Sequence, residues 1–91
     1  MGNASALKAW QVLANAEQAL AIELLAGAQA VEFLAPLEPG AGVRATRAAV
    51  RELSPRLRDD RPLADDIARV AAAVRDGSIL AAVEGEVGAL L

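Results

Sequence analysis

The sequence contains no cysteine, no histidine and no tyrosine, and it has a single tryptophan and a single phenylalanine among 91 residues. Without cysteine and histidine, the chain can form neither a disulfide nor the usual zinc or haem site. Histidine, cysteine and tyrosine are also among the side chains most used for nucleophilic or proton-transfer chemistry near neutral pH. These absences argue against autonomous catalysis.

Basic residues are also in the minority, with 9 Lys+Arg against 12 Asp+Glu and a formal net charge of -3. A nucleic-acid-binding surface needs a basic excess, so we expect no nucleic-acid partner. The first six residues are small and neutral, unlike a secretory signal. Charged residues also interrupt the apolar stretch 5–35 too often for a membrane span. We therefore expect no membrane partner and a cytoplasmic location, which the lack of cysteine also suits.

The first third of the sequence predicts one long helix, from about residue 4 to 34. Asn3 or Ser5 can cap its start, and Pro36 ends it. Large apolar residues point in nearly every direction around this helix, a pattern typical of a helix that is buried on all sides. At 1.5 Å per residue it is about 45 Å long, more than the rest of a small chain can cover. We therefore favour burial in a bundle with other chains over burial in this chain's own core.

Residues 43–91 predict three short helices. The first ends near Leu53, because Pro55 disfavours a helical conformation in the residue before it. The second has a one-sided apolar pattern and ends before Gly77. Its apolar face consists of Leu63, Ile67, Val70, Ala71 and Val74.

The last short helix is predicted from Ile79 to about Glu84, capped by Ser78 and frayed by Gly85. No segment alternates with the period of a strand, so the predicted fold class is all-α. Residues 1–91 then form a single helical segment, with a long bundle helix in 1–35 and short C-terminal helices in 43–91.

Arginines give the strongest hint of a binding site. Three of them share one helical face and three more follow, which would suit an anion or phosphate clamp. We favour the alternative of a solvated face or of ion pairs with Glu52, Asp59 and Asp60. The six arginines are Arg44, Arg47, Arg51, Arg56, Arg58 and Arg61.

The acidic residues offer no convincing metal site. The pairs Asp59-Asp60 and Asp65-Asp66 lack the alternating ligands and central glycine of a calcium loop, so we interpret them as turn and helix-start residues. Glu17 and Glu23 lie on the apolar helix, where a buried carboxylate needs a partner. We expect them to pair with arginines of another chain.

Other candidate sites are weaker still. The segment 39–42 is rich in glycine but lacks the sequence context of a phosphate loop, so it is predicted to be a turn. The hydroxyl-bearing residues have no histidine in the chain to activate them, and none is a candidate nucleophile. They are Ser5, Thr46, Ser54 and Ser78. We assign no catalytic, cofactor-binding or metal-binding residue.

Six short stretches resemble the C-terminal part of the histidine ammonia-lyase family, in the same order and with similar spacing. They are MG at 1–2, LKAWQVL at 7–13, AIELLA at 21–26, AQA at 28–30, DRPLADDI at 60–67 and VRDGS at 74–78. The resemblance runs from Met1 to about Val87, which is nearly the whole chain.

The resemblance implies a mostly helical tetramer with long helices in a central bundle. Such lyases release ammonia from an amino acid with a methylidene-imidazolone group made from an internal Ala-Ser-Gly. This chain has Ala4-Ser5-Ala6 instead and lacks the family's catalytic tyrosine. The prosthetic group would therefore belong to an upstream segment or a partner chain, and carrying the family's residues over places no catalytic position here.

We therefore expect the chain to be a structural segment or small subunit of a histidine ammonia-lyase. Its expected partners are a larger catalytic chain and further copies in a hetero- or homo-tetramer. Met1 suits both a start codon and an internal methionine, so a fragment remains an alternative. A phenylalanine or tyrosine ammonia-lyase or an aminomutase is another, since this chain is nearly silent on substrate. From a different class, the chain could be a helical oligomerisation adaptor without enzymatic partner.

Overall fold

A computed structural model describes residues 2–90, which form four α-helices and no strand. The predicted all-α fold, one long helix followed by three shorter ones, is therefore confirmed. The helices are α1 (Gly2–Phe33), α2 (Ala41–Leu53), α3 (Ala64–Asp76) and α4 (Ser78–Val87).

The first helix begins earlier than predicted. Because α1 already includes Gly2, Asn3 and Ser5 lie inside the helix, and the prediction that one of them caps it is wrong. Both residues are tolerated in a first turn, so the sequence holds no breaker that would delay the start. The helix ends in a turn in which the Leu37 N–H donates to the Leu34 carbonyl at 3.0 Å, around the Pro36 that lacks an N–H.

The other boundaries follow the predicted breakers with one exception. Helix α2 ends at Leu53, and Gly77 adopts the left-handed conformation (φ 80°) that ends α3 and leads directly into α4. Helix α4 continues through Gly85 to Val87, beyond the predicted end near Glu84. One helical glycine costs only about 1 kcal/mol, so packing against α2 outweighs it.

The start of α4 also differs from the prediction. Ser78 is the first residue of the helix and not its cap. Gly77 is the N-cap, and the Asp76 carboxylate accepts a hydrogen bond from the Ser78 N–H at 2.8 Å. Hydrogen bonding to Ser78 lowers the pKa of Asp76 below the ordinary aspartate value.

The core is built from small side chains. Helix α1 packs mainly against α3, and α2 packs mainly against α4. Alanine and valine dominate the buried contacts, with leucines only partly covered around them. The buried members of this cluster are Ala21, Val70, Ala71, Ala73 and Ile79. Short side chains let the helices approach closely, but they bury little apolar area.

The chain is elongated, measuring 55 × 36 × 17 Å with a radius of gyration of 15.1 Å. A compact domain of this length has a radius of gyration of about 12 Å. The accessible surface is 6491 Å², whereas a compact monomer of this mass exposes about 5,000 Å². The chain therefore exposes far more surface than a self-contained domain does. None of the four helices in residues 2–90 has both the length and the apolar character needed to cross a bilayer.

Candidate assembly surface

The first half of α1 projects away from the other helices. Every residue from Gly2 to Ala16 is exposed, including large apolar side chains such as Leu7 and Leu13. Trp10, the only tryptophan, is 67% exposed. We call Gly2–Ala16 the projecting half of α1.

The apolar side chains of the projecting half face several directions. At about 100° per residue, Leu7, Trp10, Val12 and Leu13 are distributed around the helix axis and not along one stripe. A single neighbouring element can cover only one side of such a helix. An exposed apolar area of this kind is typical of an interaction surface.

The second half of α1 is packed on one side only. Ala21 is fully buried and Ala28 nearly so, with Leu24 and Leu25 partly covered beside them. Ile22, Phe33 and other large side chains of this half remain exposed. The exposed apolar surface therefore continues along the whole length of α1.

Glu17 lies where the projecting half meets the packed half. It is only 6% exposed, and its Oε2 atom accepts a hydrogen bond from Arg75 Nε at 2.7 Å. The prediction that it pairs with an arginine of another chain is wrong, because α3 brings an arginine 58 positions away back along α1. Glu23 is exposed and makes no ion pair within residues 2–90, so its predicted partner in another chain stays a prediction.

Arg51 is fully engaged within the chain. Its Nη2 and Nε atoms donate to both Glu32 oxygens, at 2.6 and 3.1 Å, and its remaining donors reach the Gln29 side chain and the Ser54 carbonyl. The hydrogen bonds from Arg51 lower the pKa of Glu32 below the usual glutamate range. Arg51 therefore ties α2 to the end of α1 and cannot also clamp an anion.

The other arginines do not form a clamp either. Arg47 comes within 4.0 Å of Glu38, and Arg61 pairs with Asp66 at 2.7 Å. The favoured interpretation is a solvated face or ion pairs, but the predicted pairing partners, Glu52, Asp59 and Asp60, are wrong. The carboxylates that bind these arginines lie on neighbouring elements, which the local sequence does not reveal. The remaining three, Arg44, Arg56 and Arg58, are exposed.

Asp66 is the centre of a polar network that the sequence did not single out. It is 4% exposed at the start of α3, where it accepts hydrogen bonds from the Ser54 hydroxyl, Arg61 (2.7 Å) and Arg69 (3.0 Å). The hydrogen bond from Ser54 and the one from Arg61 lower the pKa of Asp66 below the ordinary aspartate value. A local signal exists, because Arg69 follows Asp66 at the i,i+3 spacing that favours ion pairs on a helix.

The hydroxyl groups have structural partners. Thr46 donates to the Gly42 carbonyl at 2.8 Å, and Ser78 donates to the Ala73 carbonyl. Ser54 faces the carboxylate of Asp66, but a carboxylate held by two guanidinium groups at low pKa is a poor base. Within residues 2–90, no group of three or more acidic side chains is arranged to hold a metal ion.

The described residues form an all-helical chain with a large exposed apolar surface on α1. The profile of the family named aromatic amino acid lyase matches residues 1–52. Histidine ammonia-lyase from Sorangium cellulosum (strain So ce56) is 49% identical over 99% of this chain. The histidine ammonia-lyases of Symbiobacterium thermophilum and Natranaerobius thermophilus are 48% and 40% identical over the same share. No solved structure matches the chain significantly.

The chain therefore belongs to the aromatic amino acid lyase family. The three relatives named above carry the name histidine ammonia-lyase, and the chain spans 18% of the length of each. The resemblance found in the sequence is thus confirmed at the level of the family.

Proposed function

We propose that the chain is the C-terminal segment or small subunit of a histidine ammonia-lyase-type enzyme, which converts L-histidine to urocanate and ammonia in histidine breakdown. Its role is structural: α1 enters a tetrameric helical bundle, and α2–α4 support the part of the enzyme that carries the chemistry. The observation that supports this role best is the projecting half of α1, which is apolar in several directions and uncovered by its own chain.

The chemistry belongs elsewhere in the enzyme. The methylidene-imidazolone group requires Ala-Ser-Gly, whereas Ser5 is followed by an alanine and lies on the exposed surface of α1. The chain also lacks tyrosine and histidine, so it offers neither the electrophile nor the usual proton acceptor. The residues present do not fit the prosthetic group, which we assign to the larger chain or to an upstream segment.

The chain's contribution to catalysis is to hold the catalytic groups of the enzyme in position. Burying large apolar side chains stabilises an assembly by about 1.5 to 3 kcal/mol each before the costs of association. Misplacing catalytic groups by about 1 Å can lower a rate on the order of 100-fold. A chain without catalytic residues can therefore be required for turnover, provided that it holds the active site in shape.

The printed names of the relatives favour histidine as the substrate. A phenylalanine or tyrosine ammonia-lyase or an aminomutase would use the same structural segment, since the residues that choose the substrate lie outside it. A non-enzymatic oligomerisation adaptor is the alternative from another class.

The test is complementation with the larger lyase chain that carries Ala-Ser-Gly. Each chain is produced alone and together with the other, and urocanate formation from L-histidine is followed by absorbance. We expect no turnover from this chain alone and activity when both chains are present. The partner alone should be insoluble or show weak activity. Formation of cinnamate from phenylalanine or of coumarate from tyrosine would keep the family assignment but rule out histidine as the substrate. Full activity of the partner alone would favour the adaptor hypothesis.

A further inference from the structure

A groove of about 400 Å³ lies between the second half of α1, the linker 54–63 and the start of α3. A cavity of about 150 Å³ already holds a benzene ring, so this groove has room for large apolar side chains. We call it the linker groove. Its apolar lining consists mainly of Ile22, Leu25, Phe33, Leu57, Leu63 and Ile67.

Polar contacts fix two sides of the linker groove. Arg51 holds the end of α2 against Glu32 of α1 and also binds the Ser54 carbonyl. On the other side, Asp66 binds the Ser54 hydroxyl and Arg61, and so holds both ends of the linker against α3. The groove is therefore preformed, which lowers the entropic cost of filling it.

The same contacts neutralise the charges at the rim. The Arg51 guanidinium is paired with a carboxylate, and Arg61 donates both to Asp66 and to the Pro55 carbonyl at 2.8 Å. Neither cation calls for an additional anionic partner. The two other polar lining residues are also engaged, since Gln29 accepts from Arg51 and Ser54 donates to Asp66, and the rest of the lining is apolar. The chemistry of the groove thus selects an uncharged, apolar occupant.

We infer that the linker groove receives apolar side chains from the part of the lyase that lies outside these 91 residues. The groove is continuous with the exposed surface of α1, since Ile22 and Phe33 line it and are themselves exposed. Relatives are more than five times as long as this chain, so a large part of such an enzyme is left to supply the occupant. The inference rests on the proposed function but concerns a surface separate from the projecting half of α1.

The direct test is site-specific photo-cross-linking in the assembled lyase, with p-benzoylphenylalanine replacing Leu57 inside the groove. Arg58 is the matched control, because it is the next residue of the same linker and is exposed. We expect Leu57 to cross-link to an apolar segment outside residues 1–91 and Arg58 not to. A cross-link to a second copy of these residues, or no cross-link beyond the chain's own 91 residues, would overturn the inference.

A filling substitution provides a second measurement. Ala26→Trp occupies the groove from α1, and Ala72→Trp adds the same side chain to an exposed position of α3 that does not line the groove. We expect Ala26→Trp to weaken binding to the larger chain about tenfold or more and Ala72→Trp to change it less than twofold. Equal affinities for the two variants would contradict an occupied groove. Failure of the unmodified chain to co-purify with the lyase would refute the proposed function itself.

Discussion

The two halves of α1 have similar compositions but different surroundings. From Glu17 onward the helix lies against α3, and alanines at Ala21 and Ala28 allow close contact. Before Glu17 every described residue of the helix is exposed, including large apolar side chains such as Trp10. The small side chains of the second half are therefore buried within the chain, whereas the apolar side chains of the first half stay exposed. One side of the second half therefore contributes to the chain's own core, while the first half and the rest of the second half remain exposed.

The largest effect is expected from a charge in the projecting half. Leu13→Asp leaves the isolated fold unchanged, because Leu13 is exposed, but it places an unpaired carboxylate in the proposed bundle. Burying such a charge costs several kcal/mol, so assembly with the larger chain should be lost. Co-purification measures this, with Arg58→Asp as an exposed control that should still assemble. Normal assembly of Leu13→Asp would show that this half of α1 stays in solvent.

A smaller effect is expected from the network in the packed half. Asp66→Asn leaves Arg61 and Arg69 without their carboxylate, which at a buried site costs about 3 kcal/mol. Asp65→Asn, its exposed neighbour in the same first turn, should cost less than about 1 kcal/mol. Thermal unfolding of the assembled enzyme compares the two variants. Equal losses of stability would mean that the Asp66 network does not hold α3 in place.

The Asp66 network also predicts a pH dependence. The pKa of Asp66 is lower in the folded chain than in an unfolded one, so its charge stabilises the fold above the ordinary value of about 3.9. This contribution is lost as the pH falls through the folded value. The stability difference between the parent and Asp66→Asn should therefore be constant near neutral pH and shrink in acid. A difference that grows in acid would contradict the assignment.

The smallest effects are expected from added volume on the buried and the exposed side of α1. Ala21→Leu adds volume to a fully buried site and should cost about 1 to 3 kcal/mol in the chain itself. Gly27→Leu meets no atom within 4 Å of the new Cβ, so it should spare the chain and disturb only the assembly. Unfolding and co-purification, measured side by side, distinguish these outcomes. If both variants assemble and melt like the parent, close packing around α1 is disproved.

Chain breakers made the helix boundaries predictable. Pro36, Pro55 and Gly77 act through the local backbone, and the helices end near them. Gly85 acts locally too, but its cost is small enough for the contacts between α2 and α4 to override it. The lack of periodicity in α1 predicts a helix that needs burial on all sides, since the pattern specifies which faces are apolar. The structure leaves its first half exposed, and burial by other chains stays a prediction.

The polar contacts were not predictable in the same way. Glu17 and Arg75 are 58 positions apart, and Ser54 and Asp66 are 12 apart. Which carboxylate meets which arginine depends mostly on how the helices pack against one another. The Asp66–Arg69 pair, at i,i+3 spacing on α3, is the case for which a local pattern exists. The linker groove was missed for the same reason, because three separate segments form it.

Sedimentation of this chain, alone and mixed with the larger lyase chain, tests the central claim that α1 must be covered by other parts of the enzyme. Alone, the chain should self-associate or aggregate as its concentration rises, and with its partner it should move into one larger complex. The account would be contradicted if the chain stayed monomeric at all concentrations, melted sharply and did not bind the larger chain.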